Sequence, residues 1–204
     1  MKVLFKHENG FFINERIFCE VYCIPENESY DELLTQGWLP SMEENGIWYQ
    51  SRSCRICLDN FQISKKRNSV INKLQVSILN NCNDKLIDKF FKKYYENMGY
   101  DIFDLYNNCS DFFNPKILTI HYNNKLVGVA RYIENIDSNL FLNLSYDLTL
   151  DKLSLGTNMF YILSNITKEQ NKKYLYIYES YNDTFSYKLK LPNVEIWNGR
   201  QWEV

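Results

Sequence analysis

The stretch from Ser154 to Trp202 constrains this chain more than any other. It opens on Ser154-Leu155-Gly156-Thr157, runs through a helix-length apolar segment to Thr167, and continues into the aromatic run Tyr174-Leu175-Tyr176-Ile177-Tyr178. By period this reads as a glycine-containing loop, a helix over 158–170, a buried strand over 174–179 and a last strand at about 185–190. A strand with apolar residues on both faces needs strand neighbours and a cover on each side. The upstream sequence must therefore supply a sheet.

It does. Ile117 to Tyr122, Leu126 to Ile133 and Leu140 to Leu148 read as strands, the first two joined at Asn123-Asn124-Lys125. Before them, 85–98 carries Leu86, Ile87, Phe90, Phe91, Tyr94, Tyr95 and Met98 on one stripe, with Lys85, Lys89, Lys92 and Lys93 opposite. That is an amphipathic helix whose aromatics face a core, capped by Asn83 or Asp84. A weaker helix is expected over 101–113, and a strand over 73–79. Ser29-Tyr30-Asp31-Glu32 is a capping box for a short helix to Gln36, with Gly37 as its left-handed stop. Residues 2–6 and 11–23 read as a hairpin about Asn9-Gly10, and Ile47 to Leu58 as one mixed strand. The expected fold class is α+β, with helices over a mostly antiparallel sheet. We divide it into an N-terminal region, 1–82, and a second domain, 83–204.

At 204 residues and 45% hydrophobic content there is material for a sizeable core. No apolar run reaches the length that spans a bilayer, and charges interrupt Met1 to Glu8 too early for a signal peptide. The expectation is a cytoplasmic protein with no membrane partner, whose six cysteines are reduced thiols. Net charge is −2, which argues against a uniformly basic nucleic-acid binder. The distribution is uneven, however. Residues 1–49 hold three Lys/Arg against nine Asp/Glu, residues 50–95 ten against three, and residues 96–204 ten against thirteen. A basic island of this kind can attract a polyanion, although on charge alone a solvated helix face with chance clustering is the better reading.

Candidate chemistry concentrates in four places. Ser154, Leu155, Gly156 and Thr157 precede a helix whose N-terminal amides favour a phosphate or carboxylate; a plain capped helix start looks the same. Ser64, Lys65, Lys66 and Arg67 gather cations at a turn entering a helix. Asp147, Glu179, Asp183 and Glu195 are acids on or beside the C-terminal strands, and Asp147 and Glu179 end strands that flank one helix, where a carboxylate could orient an amine. Cys19, Cys23, Cys54 and Cys57 do not have the spacing of a zinc knuckle, and positions three apart on a strand face opposite ways; no metal is expected. His7 and His121 have no nucleophile motif nearby, which disfavours a Ser/His/Asp hydrolase.

Taken in order, several segments resemble the arginyl-tRNA–protein transferase family, including its leucyl-tRNA–protein transferase branch. They are Tyr30…Leu33-Leu34…Gly37-Trp38; Trp48-Tyr49-Gln50 and Arg55-Ile56-x-Leu58; Phe61-x-x-Ser64-Lys65-Lys66-x-x-Ser69; Leu126-Val127-Gly128-Val129-Ala130; Tyr146-Asp147; Ser154-Leu155-Gly156-Thr157; Tyr174-x-Tyr176; Tyr187-Lys188; Glu195; and Gly199-x-x-Trp202. The resemblance covers about 30–202. It departs from the family in a cysteine-rich segment reduced to Cys19 and Cys23, in Ser51, Arg52 and Ser53 before Arg55, and in Tyr178 where the family has glycine. The segment between Tyr178 and Tyr187-Lys188 is about two residues short, and Pro192 is shifted.

The resemblance implies a GNAT-like fold and transfer of an amino acid from aminoacyl-tRNA to an amine, typically the N-terminus of an acceptor protein or peptide. Aminoacyl-tRNA is then the co-substrate, no other cofactor is needed, and the protein is expected to act as a monomer. On this basis Asp147 or Glu179 would hold the amine. Ser64, Lys65, Lys66, Arg67, Ser154, Leu155, Gly156, Thr157 and Lys188 would bind the tRNA end. Tyr146, Tyr176 and Tyr187 would line the aminoacyl pocket. Two alternatives stay open: an acyl-CoA N-acyltransferase, whose usual Gln/Arg-x-x-Gly-x-Gly/Ala loop this chain lacks, and a non-catalytic GNAT-like binding module.

Overall fold

A computed structural model describes residues 1–5, 11–13, 16–18, 21–42, 44–80, 85–99, 113–180 and 186–204. The capping box forms as written. Ser29 Oγ accepts from the Glu32 N–H at 3.3 Å, and the Glu32 carboxylate accepts from the Ser29 N–H at 2.7 Å. Helix α1 spans Tyr30–Thr35, and Gly37 follows it at φ +78°. A side chain is impossible at Gly37 for a second reason: its Cβ would lie 2.4 Å from the Trp197 ring.

Two sheets carry most of the structure. The smaller is antiparallel, in the order β1 (Lys2–Phe5), β4 (Val21–Ile24), β6 (Trp48–Gln50), β5 (Trp38–Pro40). The expected pairing of 2–6 with a strand over 11–23 is realised by β4 alone, Lys2 opposite Ile24 through Phe5 opposite Val21. Between them β2 (Phe11–Ile13) pairs with β3 (Arg16–Phe18); the His7–Gly10 turn lies outside the described residues.

The larger sheet has eight strands. Its order is β14 (Trp202–Glu203), β13 (Val194–Trp197), β7 (Ser53–Cys57), β12 (Tyr174–Glu179), β11 (Ser138–Tyr146), β10 (Lys125–Glu134), β9 (Lys116–Tyr122), β8 (Gln75–Leu79). All neighbours are antiparallel except β11 and β12. Helices α2 (Lys65–Ile71), α3 (Lys85–Met98) and α4 (Leu155–Glu169) complete the described architecture. The expected α+β class, GNAT-like with helices flanking a mostly antiparallel sheet, is what the chain adopts.

Strand parity divides the core. On one face α4 buries Leu155, Met159, Phe160 and Leu163 among Leu118, Ile120, Ala130, Tyr132, Leu175 and Ile177. On the other, α3 lays Ile87, Phe91 and Tyr95 on Ile117 and Val129. Further along that second face Leu140, Leu142, Tyr176 and Tyr178 pack with Leu33, Leu34, Trp38 and Leu39 of the N-terminal region. Tyr174 to Tyr178 is thus buried on both sides, as its composition requires.

Four expectations change. Ile47 to Leu58 is two strands in two sheets, with the chain crossing between them at Ser51-Arg52. The last strand is not at 185–190. Ser186–Lys190 is a 3-10 turn and the strand is Val194–Trp197, because Lys188 turns inward while Tyr187 and Leu189 stay partly exposed. The boundary at 82 does not fall between units: β7 and β8 lie in the larger sheet, β7 flanked on both sides by C-terminal strands. Leu86, placed on the core stripe, is 61% exposed, since α3 buries a narrower seam than its composition offers. The helix expected at 101–113 lies outside the described residues but for Phe113.

Candidate active site

The candidate site lies where the parallel pair of the larger sheet, β11 and β12, comes apart. β11 and β12 keep register for three residues only, Ser138 with Tyr174 through Leu140 with Tyr176. Beyond that β11 continues to Tyr146 paired with β10 alone, its Tyr146 opposite Gly128. β12 bulges instead. Tyr178 takes φ +61°, the ladder with β7 slips between Tyr176 and Glu179, and the Ser180 N–H donates to the Arg52 carbonyl at 3.1 Å. The two C-terminal strand ends are left apart.

Helix α4 starts at the end of the β11 arm. Its first residue is Leu155, three earlier than expected, so Leu155, Gly156 and Thr157 form the first turn itself. Ser154 is the N-cap in left-handed geometry, φ 45°, and its side chain makes no capping hydrogen bond. The first-turn amides are therefore not taken up by that hydroxyl, and the helix dipole adds to their preference for an anion. Gly156 lies under the Tyr146 ring, where a Cβ would come within 2.9 Å of Tyr146 Cε1.

The two segments expected to bind the donor are brought together. Ser64 caps α2 by accepting from the Arg67 N–H at 3.4 Å. Arg67 then reaches α4: its Nη1 donates to Asn158 Oδ1 at 2.8 Å and its guanidinium lies over the Tyr161 ring at 4.5 Å. Buried Asn158 completes the link by donating from Nδ2 to the Leu153 carbonyl at 2.7 Å. Lys65 and Lys66, on the same turn of α2, are exposed. Arg67 thus serves as the clamp and the two lysines provide the surface charge.

Aromatic rings line the β11 side. Tyr94 of α3 sits 5.2 Å from Tyr146 by ring centroids, and Tyr187 lies 6.2 Å from Phe160, which itself packs at 4.8 Å on Phe141. The Tyr94 hydroxyl is pushed well above the ordinary phenol range, first by burial and then by its neighbour Tyr146, so it remains a neutral hydrogen-bonding group at any working pH.

The two expected acids are not a pair. Asp147 Oδ1 accepts from the Thr149 N–H at 2.9 Å and the Thr149 hydroxyl at 2.6 Å, and these bonds hold its pKa below the usual value. It is an ionised turn carboxylate. Glu179, at the end of the β12 arm, accepts at Oε2 from the Tyr49 hydroxyl at 2.9 Å. The two carboxylates thus have separate partners, Asp147 in its own turn and Glu179 on β6.

Two other residues have different tasks from those expected. Lys188 is buried, and its Nζ donates to the carbonyls of Ile177 at 2.8 Å and Glu179 at 2.9 Å. It supplies donors where the strand ladder is interrupted, and its ammonium does not reach the surface to meet a phosphate; burial lowers its pKa. Tyr176 is 1% exposed and faces away from α4, its hydroxyl accepting from Arg55 Nη1 at 3.4 Å. It belongs to a cluster in which Arg55 is held between the Tyr174 and Trp202 rings, 3.8 and 4.2 Å from their centroids, and donates from Nε to Glu195 at 2.6 Å. Glu195 is consumed in this way. Cys23 and Cys54 are buried in different clusters, with burial raising their thiols to about 11 and about 12. Among the described residues no group of three or more His, Cys, Asp or Glu is placed to hold a metal ion; His7, Cys19 and Asp183 lie outside them.

Sequence reasoning missed Tyr49, Tyr94 and Asn158. Tyr94 and Asn158 sit on helices whose periodicity signals packing, and Tyr49 was visible only as part of a family block.

No protein-family model matches the sequence and no curated protein matches it. Solved structures do share the fold. FemX superposes with a TM-score of 0.56 at 9% identity over 81% of this chain, and L-PGS from Bacillus licheniformis with 0.51 at 15% identity over 62%. A GCN5-related glucosamine N-acetyltransferase region of a fungal multi-domain β-N-acetylglucosaminidase aligns over 85% of this chain with a TM-score of 0.47. The chain spans 65% of FemX and 44% of L-PGS. At such identities the likeness extends to the fold alone, an α+β sheet of GNAT-like class.

Proposed function

We propose that this protein is an aminoacyltransferase that takes its amino acid from aminoacyl-tRNA and joins it to an amine of a protein, peptide or small molecule. The observation that carries this reading is the Arg67–Asn158 clamp, which sets the exposed Lys65 and Lys66 beside the first turn of α4 at the open end of the β11/β12 pair. A phosphodiester chain needs successive cationic and amide contacts, and this surface offers both. FemX and L-PGS share the fold, and at 9% and 15% identity they lend support through it and not through matching residues.

In this reading Lys65 and Lys66 neutralise backbone phosphates, and the Leu155, Gly156 and Thr157 amides meet the 3′-terminal phosphate or the charge developing on the carbonyl oxygen. Tyr94, Tyr146 and Tyr187 line the aminoacyl end. Glu179 receives the acceptor amine. The nitrogen lone pair attacks the ester carbonyl, a C–N bond forms, the C–O bond to the ribose breaks, and the amine proton passes to the leaving ribose oxygen, with Glu179 as its carrier.

The test is incubation with a full set of charged tRNAs, each with a labelled amino acid. One or a few labels should move to an added amine. Release by none of them, with acetyl-CoA consumed instead, would move the protein to the acyl-CoA reading. That second reading has one observation in its favour: the first-turn amides of α4, left uncapped by the Ser154 hydroxyl, suit a pyrophosphate as well as a tRNA end.

A further inference from the structure

Glu179 is held by more of the molecule than a surface acid would be. Its backbone is fixed on one side by Lys188 Nζ, which donates to the carbonyls of Ile177 and of Glu179 itself. On the other side the Ser180 N–H is tied to Arg52. The bulge that aims it is set by Tyr178, whose left-handed backbone is pinned by its own hydroxyl donating to the Pro40 carbonyl at 3.0 Å. The carboxylate is fixed by a fourth segment, the Tyr49 hydroxyl at Oε2. Tyr49 stands on β6, centred in the small sheet between Tyr22 and Leu39, with the Tyr22 ring 6.1 Å away.

From this geometry we infer that Tyr49 is a positioning residue for an amine-binding site at Glu179, and that the N-terminal sheet is therefore a working part of the active site. With Oε2 engaged by a donor, Oε1 faces the incoming group as the acceptor for one N–H of a primary amine. The ligand class is a primary amine, and an acetylated amine lacks the second hydrogen and the basicity the site selects. The inference rests on the acceptor half of the reading above and not on the donor.

The experiment measures binding of trialanine and of N-acetyl-trialanine to the full chain by calorimetry, for wild type, Tyr49→Phe, Glu179→Gln, the double variant and Tyr22→Phe. Wild type and Tyr22→Phe should prefer the free amine. Tyr49→Phe should weaken free-amine binding at least tenfold, leave the acetylated peptide unchanged, and add nothing in the Glu179→Gln background, with thermal midpoints confirming that each variant is folded. Equal binding of both peptides by wild type overturns the inference, as does an undiminished Tyr49→Phe effect when Glu179 is already gone. An intact amine preference without transfer from any charged tRNA overturns the donor reading alone.

Discussion

Tyr178 shows how a single residue can carry opposing terms. A non-glycine residue in the left-handed region costs on the order of 1–2 kcal/mol, and the family that the sequence resembles has glycine at this place. Yet the Tyr178 ring is buried between the two sheets and its hydroxyl reaches Pro40, and truncating a buried aromatic costs about 3–5 kcal/mol. Packing wins. Tyr178→Gly should lower stability by about 2 kcal/mol net in urea unfolding; a gain would mean the strain term dominates. Cys54 gives a second residue-scale prediction. With its thiol pushed to about 12 and fully buried, it should resist alkylation at pH 8 in the folded protein while half-buried Cys57 is labelled, as peptide mapping would show. Little of this was legible beforehand. The Tyr178 departure could be seen in the sequence, but its left-handed backbone follows from a bulge that depends on residues far away in the chain, such as Arg52.

At the scale of elements, local signals succeeded where the element is decided locally. The Ser29 capping box, the α3 stripe and the β9–β10 hairpin needed only their own residues. Ser186–Lys190 failed because a buried lysine, satisfied by carbonyls of another strand, leaves no trace in a hydrophobic pattern. The α2–α4 clamp was half legible: both segments expected to meet phosphate stood out, but nothing in either indicated Asn158 as the partner of Arg67. Replacing Lys65 and Lys66 by Ala should reduce the slope of log affinity against log salt for tRNA by about 1.4–1.8, the loss of two phosphate contacts. Arg67→Ala should weaken binding through disorder of α2 as well, and so lower affinity more than its single charge predicts. An unchanged slope in the double-lysine variant would falsify the tRNA assignment of this surface.

For the molecule as a whole, the α+β class with helices over a mostly antiparallel sheet followed from the order of periods after residue 84 and its GNAT-like character only from the resemblance, while the expected boundary at 82 did not survive the pairing of β7 with β12 and β13. The Arg55 cluster fastens that arrangement: cross-strand neighbours Glu195, Arg55 and Tyr176 lie in line, and Trp202 closes over them while donating from Nε1 to the Thr35 carbonyl at 2.8 Å. Glu195→Ala leaves a nearly buried guanidinium without its carboxylate and should cost about 3 kcal/mol, the lower end for a broken buried pair because both rings still stack on the cation. Equilibrium unfolding measures this directly, and a shift under about 1 kcal/mol would show the rings to be sufficient by themselves. The position of β7 also sets a timetable. Both its neighbours are strands made of residues 174–197, so Ser53–Cys57 leaves the ribosome long before anything can pair with it. Until residue 174 has been made, the nascent chain carries Ser53–Cys57 as a strand with two open edges, the state in which chains aggregate or recruit chaperones. The sheet closes only once the C-terminal segment arrives, which makes folding of this protein late and slow.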